Sequence, residues 1–505
     1  MRLRSAFPLF LLLAFASPVA GQNAAADDLA AVTADIDAFF MRHQAEQHVP
    51  GMVYGVVKDG RLIYVKGNGV QDLVERRPVT ADSLFRIASM TKAVTALAIL
   101  KLRDDGKLRL DDLAEQHVPE MKGWTYPTAD SPRIRVRDLL HHVGGFVTDD
   151  PWGDRQQILP QEDFTRMIAA GAPFSRSPQS QFEYSNFGYA LLGRIVANAS
   201  GMKYADYVRQ AILAPLGMTA SGFDVTRAPK ARTAVGYRWE NERWTVEPEM
   251  VDGAFNAMGG LQVSANDYAK WVAFLLAAWP ARDDPDTGPV KRATVREMAQ
   301  GLNFVSITSR RGADGAAACT QAVAYGMGWR VVQDCELGFT MTHGGGYPGY
   351  GSYILLMPER GVGVFAMANR TYAAPSAPTW DAAAAMAKSG LIEARGVPVT
   401  AAVAGAYAAA KAAYAEGDLG PLEGKLAMNF LLDRSADNWK AEFARLKAEV
   451  GECPTDEPLA PNGAMSAAFR LNCQKGKLDG MLLLAPTTPA TIQALRLRVV
   501  PPEAQ

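Results

Sequence analysis

The chain has 505 residues, 48% hydrophobic and 21% charged, with 52 basic against 53 acidic side chains and a net charge of -1. A chain of that length can bury a large core and points to two domains. Charge this close to balance leaves no electrostatic footprint for nucleic acid or for an anionic membrane surface.

Arg2 and Arg4 precede an apolar run, 6–16, too short to span a bilayer, and Val19-Ala20-Gly21 offers small residues for cleavage before Gln22. Residues 1–21 therefore read as a secretory signal peptide. Its removal takes away two basic residues, leaving 50 basic against 53 acidic, or -3. No cysteine lies near the cut and no later run is long and apolar enough to cross a membrane. The mature chain is expected to be periplasmic or secreted, without a membrane anchor.

Leu29, Val32, Ile36, Phe39 and Phe40 form one stripe of a helix over 27–45. Two apolar strand runs flank Asp59-Gly60 within 51–74, a hairpin signal. After a strand-like segment, 83–87, Ser89-Met90-Thr91-Lys92 opens an apolar run to Arg103 that reads as a buried helix. Helical positions three apart share a face, so the Lys92 amine can sit beside the Ser89 hydroxyl. A serine is a poor nucleophile until a neighbour takes its proton, and a desolvated lysine can do so. The spacing by itself is weak. About one or two such matches arise by chance in a chain this long, and a surface serine near a solvated lysine is the ordinary reading.

Residues 93–300 alternate helical stretches with loops rich in Pro, Gly and Asp. Strand runs return at 325–332, 339–343, 351–357 and 362–367, the last two joined as a hairpin through Pro358-Glu359-Arg360-Gly361. An Ala-rich helix spans 380–394. Strands thus bracket a helical insertion, which predicts an α/β (α+β) fold: one antiparallel sheet built from both ends, flanked by helices, with a helical lobe beside it and a cleft between. A linker over 396–401 leads to a small α+β domain, 402–505. There, helices at 402–415 and 439–450 precede strands at 467–471, 480–484 and 492–500, and Phe430, Leu431, Leu432 and Trp439 are expected in the core. The first domain is bounded at 27–395.

The cysteines are Cys319, Cys335, Cys453 and Cys473. An even count in an exported chain favours disulfides. Of three connectivities, the local one is expected, because each pair then stays within one domain. A metal site or reactive thiol would be the other readings, but no C-x-x-C is present and no His adjoins a Cys.

Two further segments give Ser89 and Lys92 a context: Tyr184-Ser185-Asn186, just before an apolar helix, and His343-Gly344-Gly345-Gly346, at a strand end. In that order the chain resembles the serine β-lactamase and penicillin-binding protein superfamily, in its class C branch of β-lactamases, D-aminopeptidases, D,D-carboxypeptidases and esterases. The resemblance covers about 30–395 and includes Phe85 to Lys92, Gly106 to Asp112, Leu139 to Phe146, Leu213 to Met218, Gly259-Gly260-Leu261 and Gly349 to Asn369. It implies a serine hydrolase cleaving an ester or amide in a small molecule or peptide, without a cofactor. Ser89 would be the acylated nucleophile, with Lys92 and Tyr184 as general base and acid in an order the sequence leaves open. Burial and a neighbouring cation are expected to lower the pKa of Tyr184, and desolvation that of Lys92. Asn186 would contact the substrate carbonyl and hold Lys92, and the amides of Gly346 and Ser89 would form an oxyanion hole. Pocket walls would come from 146–160, 225–255 and 303–320.

Two departures from the family pattern stand out. His343 occupies a position where β-lactamases usually carry Lys. A histidine is mostly neutral above pH 7, so carboxylate anchoring should weaken and a peptidase or esterase is expected before a class C β-lactamase. Val143-Gly144-Gly145-Phe146 replaces the usual Thr-Ser-Gly-Leu. A penicillin- or peptidoglycan-binding receptor with little turnover is a third reading, kept by the extra domain and opposed by the intact Ser89, Lys92 and Tyr184. His141-His142 invites a metal reading, but neighbours on a helix face different ways, so none is expected. Gly349 to Tyr353 only partly echoes a nucleophile elbow. The sequence sets no oligomeric state.

Overall fold

Asp59 and Gly60 both take left-handed φ, 52° and 78°, the twist that a two-residue turn needs to return one strand along another. Gly51–Lys58 therefore folds back on Arg61–Gly69. The computed structural model describes residues 20–312, 315, 319–396 and 398–501, so residues 1–19 of the proposed signal peptide and Val397 of the proposed linker lie outside it. Gly51–Lys58 also pairs with the distant Val362–Ala368, which joins the two ends of the first unit in one antiparallel sheet. Its eight strands run in the order Arg61–Gly69, Gly51–Lys58, Val362–Ala368, Tyr350–Met357, Gly338–Tyr347, Arg330–Asp334, Cys319–Tyr325 and Asn303–Arg310.

The period of two sorts side chains between the faces. Val53 and Val57 enter a core shared with Leu97, Trp271 and Phe365, on the side of the helical lobe. Met52, Tyr54 and Val56 enter another with Ile36, Phe40, Trp380 and Met386, under the helices Ala20–Glu46 and Ser376–Lys388. Each fully buried side chain of this size is worth ~1.5–3 kcal/mol. The helix Thr91–Asp104 is buried on nearly every side, from Thr91 through Leu100 and at Leu102.

The run predicted as one strand over 325–332 is two strands, because Gly326 to Trp329 turn between them. The turn requires a glycine: Gly328 has φ 77°, and a Cβ there would lie 2.7 Å from the Ala93 backbone of the Ser89 helix. Asn303–Arg310 is an edge strand that the sequence pattern hides, since a bulge between Phe304 and Ser306 breaks its alternation and Phe304 and Ile307 face solvent. Cys319 is bonded to Cys335 and Cys453 to Cys473.

A second compact unit starts at Ala394. Its helices Ala401–Glu416 and Ala436–Val450 pack on a sheet of Thr455–Asp456, Ser466–Cys473, Gly476–Ala485 and Thr491–Val499, with Ala460–Pro461 paired to the second of these. Val403, Phe430, Trp439, Phe443, Leu471 and Leu482 fill its core. Leu431 and Leu432, expected there, are 44% and 81% exposed. Phe430–Asp433 is a single helical turn, and only its Phe430 side reaches the interior. Among the described residues no helix is long and apolar enough to cross a membrane.

Candidate active site

Ser89 sits in a 3-10 turn, Ala88–Met90, that runs straight into the helix Thr91–Asp104. Ala88 holds φ 46°, a conformation costly for a residue with a Cβ and tolerated only where the surroundings enforce it. Those surroundings are identifiable. Ser352 donates to the Ile87 carbonyl at 2.8 Å, and Gly345 lies so close that a Cβ on it would meet Ile87 O at 2.3 Å. The glycines of 344–346 are strand residues within Gly338–Tyr347, and Gly345 is glycine because the sheet presses against the turn carrying Ser89. Ser352, within the partial elbow pattern, is a fastener of that turn.

Lys92 is fully buried, and its Nζ reaches three acceptors: Ser89 Oγ at 2.9 Å, Asn186 Oδ1 at 2.7 Å and Met258 O at 2.9 Å. Tyr184 donates its hydroxyl to Ser89 Oγ at 2.8 Å, and its ring lies 4.8 Å from Lys92 Nζ. Ser89 Oγ is the shared point of contact for the amine and the phenol. The segment bearing Tyr184 ends where Ser185 caps the helix Asn186–Ser200, and Asp149 takes the amides of Asn186 and Phe187 at 2.6 and 2.8 Å. Asp150 accepts from the Asn186 side-chain amide.

Burial drives the protonation states. Desolvation pushes Lys92 down to about 8 against the opposing pull of Asp150, Asp154 and Asp149. Desolvation pushes Tyr184 well above 10, with Asp150 adding to it and the Ser89 contact opposing. The expected lowering of Tyr184 is therefore reversed: burial disfavours a phenolate, and the nearby carboxylates disfavour it further. Asp154 is raised to about 7 by burial and then by Asp150, with Lys92 opposing. Burial, then Lys92, lowers His343 to about 3. Its Nδ1–H donates to Gly344 O at 2.6 Å, and its Nε2 accepts from the Tyr325 hydroxyl at 3.0 Å. His343 is neutral and supplies no charge.

Ser89, Tyr184, His343, Gly344 and Gly346 line one cleft of about 620 Å³, with Thr148, Asp150, Pro151, Asp154, Arg330 and Tyr372. Among the described residues of the three expected pocket walls, only those of 146–160 contribute to it. A larger groove of about 1330 Å³ on the helical lobe, beside Arg194, Lys203 and Asp252, contains none of the residues around Ser89. Asp150 and Asp154 lie in the expected wall 146–160, though sequence reasoning does not single them out; Arg330 and Tyr372 escape it. Tyr372 bonds Asp154 at 3.0 Å, and a Cβ on Gly346 would meet its ring at 2.6 Å. Arg330 pairs in register with Thr342, next to His343, and forms no ion pair among the described residues. The one signal for it was a cation inside an apolar strand run. As to metal, the His141 Nδ1 nitrogen lies 3.4 Å from Tyr325 O while the His142 Nδ1 nitrogen takes Ser185 N–H. The one candidate ligand cluster among the described residues is Cys319, Asp334 and Cys335, whose sulfurs are already bonded to each other.

A sheet between terminal helices and a helical lobe, with Ser-x-x-Lys at the seam, places the molecule with the serine hydrolases of the β-lactamase and penicillin-binding protein superfamily. The chain belongs to the Beta-lactamase family, whose model matches residues 36–388. It is 30% identical over 338 residues to Protein flp of Staphylococcus aureus (strain COL), an alignment covering 66% of this chain and 62% of that protein. The chain thus spans about 62% of the length of that curated relative. Among solved structures it is similar to the octameric penicillin-binding protein homologue from Pyrococcus abyssi, with TM-score 0.57, 22% identity, and 92% and 99% of the two chains covered. It is also similar to a class C β-lactamase from Rhodobacter sphaeroides, with TM-score 0.53, 22% identity, and 69% and 98% covered. These likenesses establish the fold.

Proposed function

We propose that the protein is an exported serine hydrolase, a peptidase or esterase of β-lactamase fold, acting through an acyl-enzyme at Ser89, with 27–395 as the hydrolase domain and 402–505 as an accessory unit. The observation that carries this reading is Ser89 Oγ held 2.9 Å from a buried amine and 2.8 Å from a half-buried phenol at the wall of a cleft. Ser89 Oγ attacks the carbonyl carbon and its proton passes to Lys92, the group whose pKa burial lowers towards the working range. The leaving group takes a proton from Tyr184, which burial keeps as phenol, and the Lys92 ammonium restores it. Water then hydrolyses the ester on Ser89. Asn186, fully buried and outside the cleft lining, holds Lys92, and the amides of Ser89 and Gly346 receive the oxyanion, each such donor being worth ~3 kcal/mol. The two disulfides suit an oxidising compartment.

Arg330 sharpens the substrate. With His343 neutral, it is the cation lining the cleft among the described residues, and it supports a substrate with a free carboxylate, such as a short peptide terminus. The same cation favours the second reading, a class C β-lactamase, since it can take the role the missing Lys leaves open. The test is a comparison of kcat/KM for D-amino amides, D-Ala-D-Ala peptides, short-acyl nitrophenyl esters and a chromogenic cephalosporin. Arg330→Ala is expected to raise KM at least tenfold for carboxylate-bearing substrates and to spare the esters. A cephalosporin kcat/KM equal to the best peptide or ester reverses the ranking, and penicillin labelling without turnover of any substrate favours a receptor.

A further inference from the structure

His142 is buried, does not line the cleft, and takes no part in the proton transfers above. The geometry points to His142 as the residue that positions Tyr184, an inference that rests on the role proposed for Tyr184. With φ 55°, the His142 backbone turns so that its carbonyl and its ring address the same segment. The carbonyl accepts Glu183 N–H at 2.8 Å, and the ring Nδ1 accepts Ser185 N–H at 3.1 Å. The amides on both sides of Tyr184 are thus fixed to a single residue. Its ring also packs on the Tyr184 ring, with centroids 4.4 Å apart.

Packing alone does not account for an imidazole at this site. The ring touches Phe182, Tyr184, Tyr189 and Tyr325, surroundings that a phenyl group would suit. Since Nδ1 accepts, the ring proton is on Nε2, which is buried without a partner among the described residues. A buried polar atom left unpaired is a cost, and what the imidazole gives in return is the acceptor for Ser185 N–H. Burial first, then Lys92, hold the ring neutral, so Nδ1 keeps its lone pair and the grip is the same at every working pH.

Two variants separate positioning from packing. In His142→Asn the side-chain oxygen falls where Nδ1 lies; in His142→Gln it falls nearer Nε2. Both lose the ring, so both are expected to melt lower by similar amounts. H142N should keep kcat within about tenfold of the parent, whereas H142Q should lose about a hundredfold at unchanged KM, the scale of a misplaced catalytic group. In a Tyr184→Phe background H142Q should cost no further activity. If H142Q does not fold, His142→Phe, which keeps the ring and loses the acceptor, is expected to show the same loss. Equal kcat for H142N and H142Q, or an undiminished H142Q effect in the Y184F background, overturns the positioning role. If Y184F itself retains the parental kcat, the reading of Tyr184 falls and takes this inference with it.

Discussion

The two compact units handle polar groups in opposite ways. Among the described residues, tyrosine and tryptophan aside, every buried polar or charged side chain lies in the first unit, from Gln71 to Thr379, while the second buries only the Tyr407 and Tyr414 hydroxyls and the Trp439 indole. The second unit has the interior that burial energetics alone would choose, with Val403, Phe443, Leu446 and Leu482 at its centre. The first buries Lys92, Asp149, Asn186, His142 and His343 around one serine. Burying a charge or an unpaired polar atom opposes folding, so such a concentration marks where stability has been given up for chemistry.

That contrast can be broken or sharpened by substitution. Lys92→Met, which keeps the volume and removes the amine, is expected to lower kcat by ~10³–10⁴, the upper range for a general base, as read by steady-state turnover. Leu482→Ala in the apolar core of the second unit should lower unfolding free energy by ~2–5 kcal/mol, measured by denaturant titration. Tyr184→Phe should cost kcat ~10²–10³ while leaving the melting temperature unchanged or slightly raised, because the hydroxyl it removes lies at the cleft wall and bonds Ser89 Oγ. A fall in stability as large as that of L482A would contradict the division between the units. The smallest effect is that of pH. With Lys92 as the proposed base, active when unprotonated and lying at about 8, kcat/KM should rise about tenfold per pH unit below that value and level off above it. His343, at about 3, should add no inflection at working pH.

Much of this architecture is legible in the residues themselves. The apolar run behind Ser89 can only be a buried helix, and Asp59-Gly60 and the 358–361 turn mark their hairpins without ambiguity. Ser89, Lys92 and Tyr184 stand out only in their order with Asn186 and His343-Gly344-Gly345-Gly346, through the resemblance to the superfamily; each alone has an ordinary reading. What stays hidden is what depends on distant neighbours. Asp150 and Asp154 look like ordinary residues of a loop wall until the fold brings them near Lys92, and Tyr372 until it bonds Asp154 at the cleft. Arg330 reads as one residue of a longer strand until Gly328 breaks it. Leu431 and Leu432 look like core because hydrophobicity does not say which side of a single helical turn will face inward. The direction of the Tyr184 shift depends on how completely the ring is enclosed, a property of packing that composition does not carry.

The central claim is that Ser89 becomes covalently acylated because Lys92 and Tyr184 hold its hydroxyl between them. Acid quenching in the pre-steady state with the best substrate of the panel, followed by intact mass and peptide mapping, tests it most directly. The expected result is an added mass equal to the acyl group on the peptide containing Ser89, with neither adduct nor turnover in Ser89→Ala. An adduct on any other residue, or turnover that survives in S89A, contradicts the account.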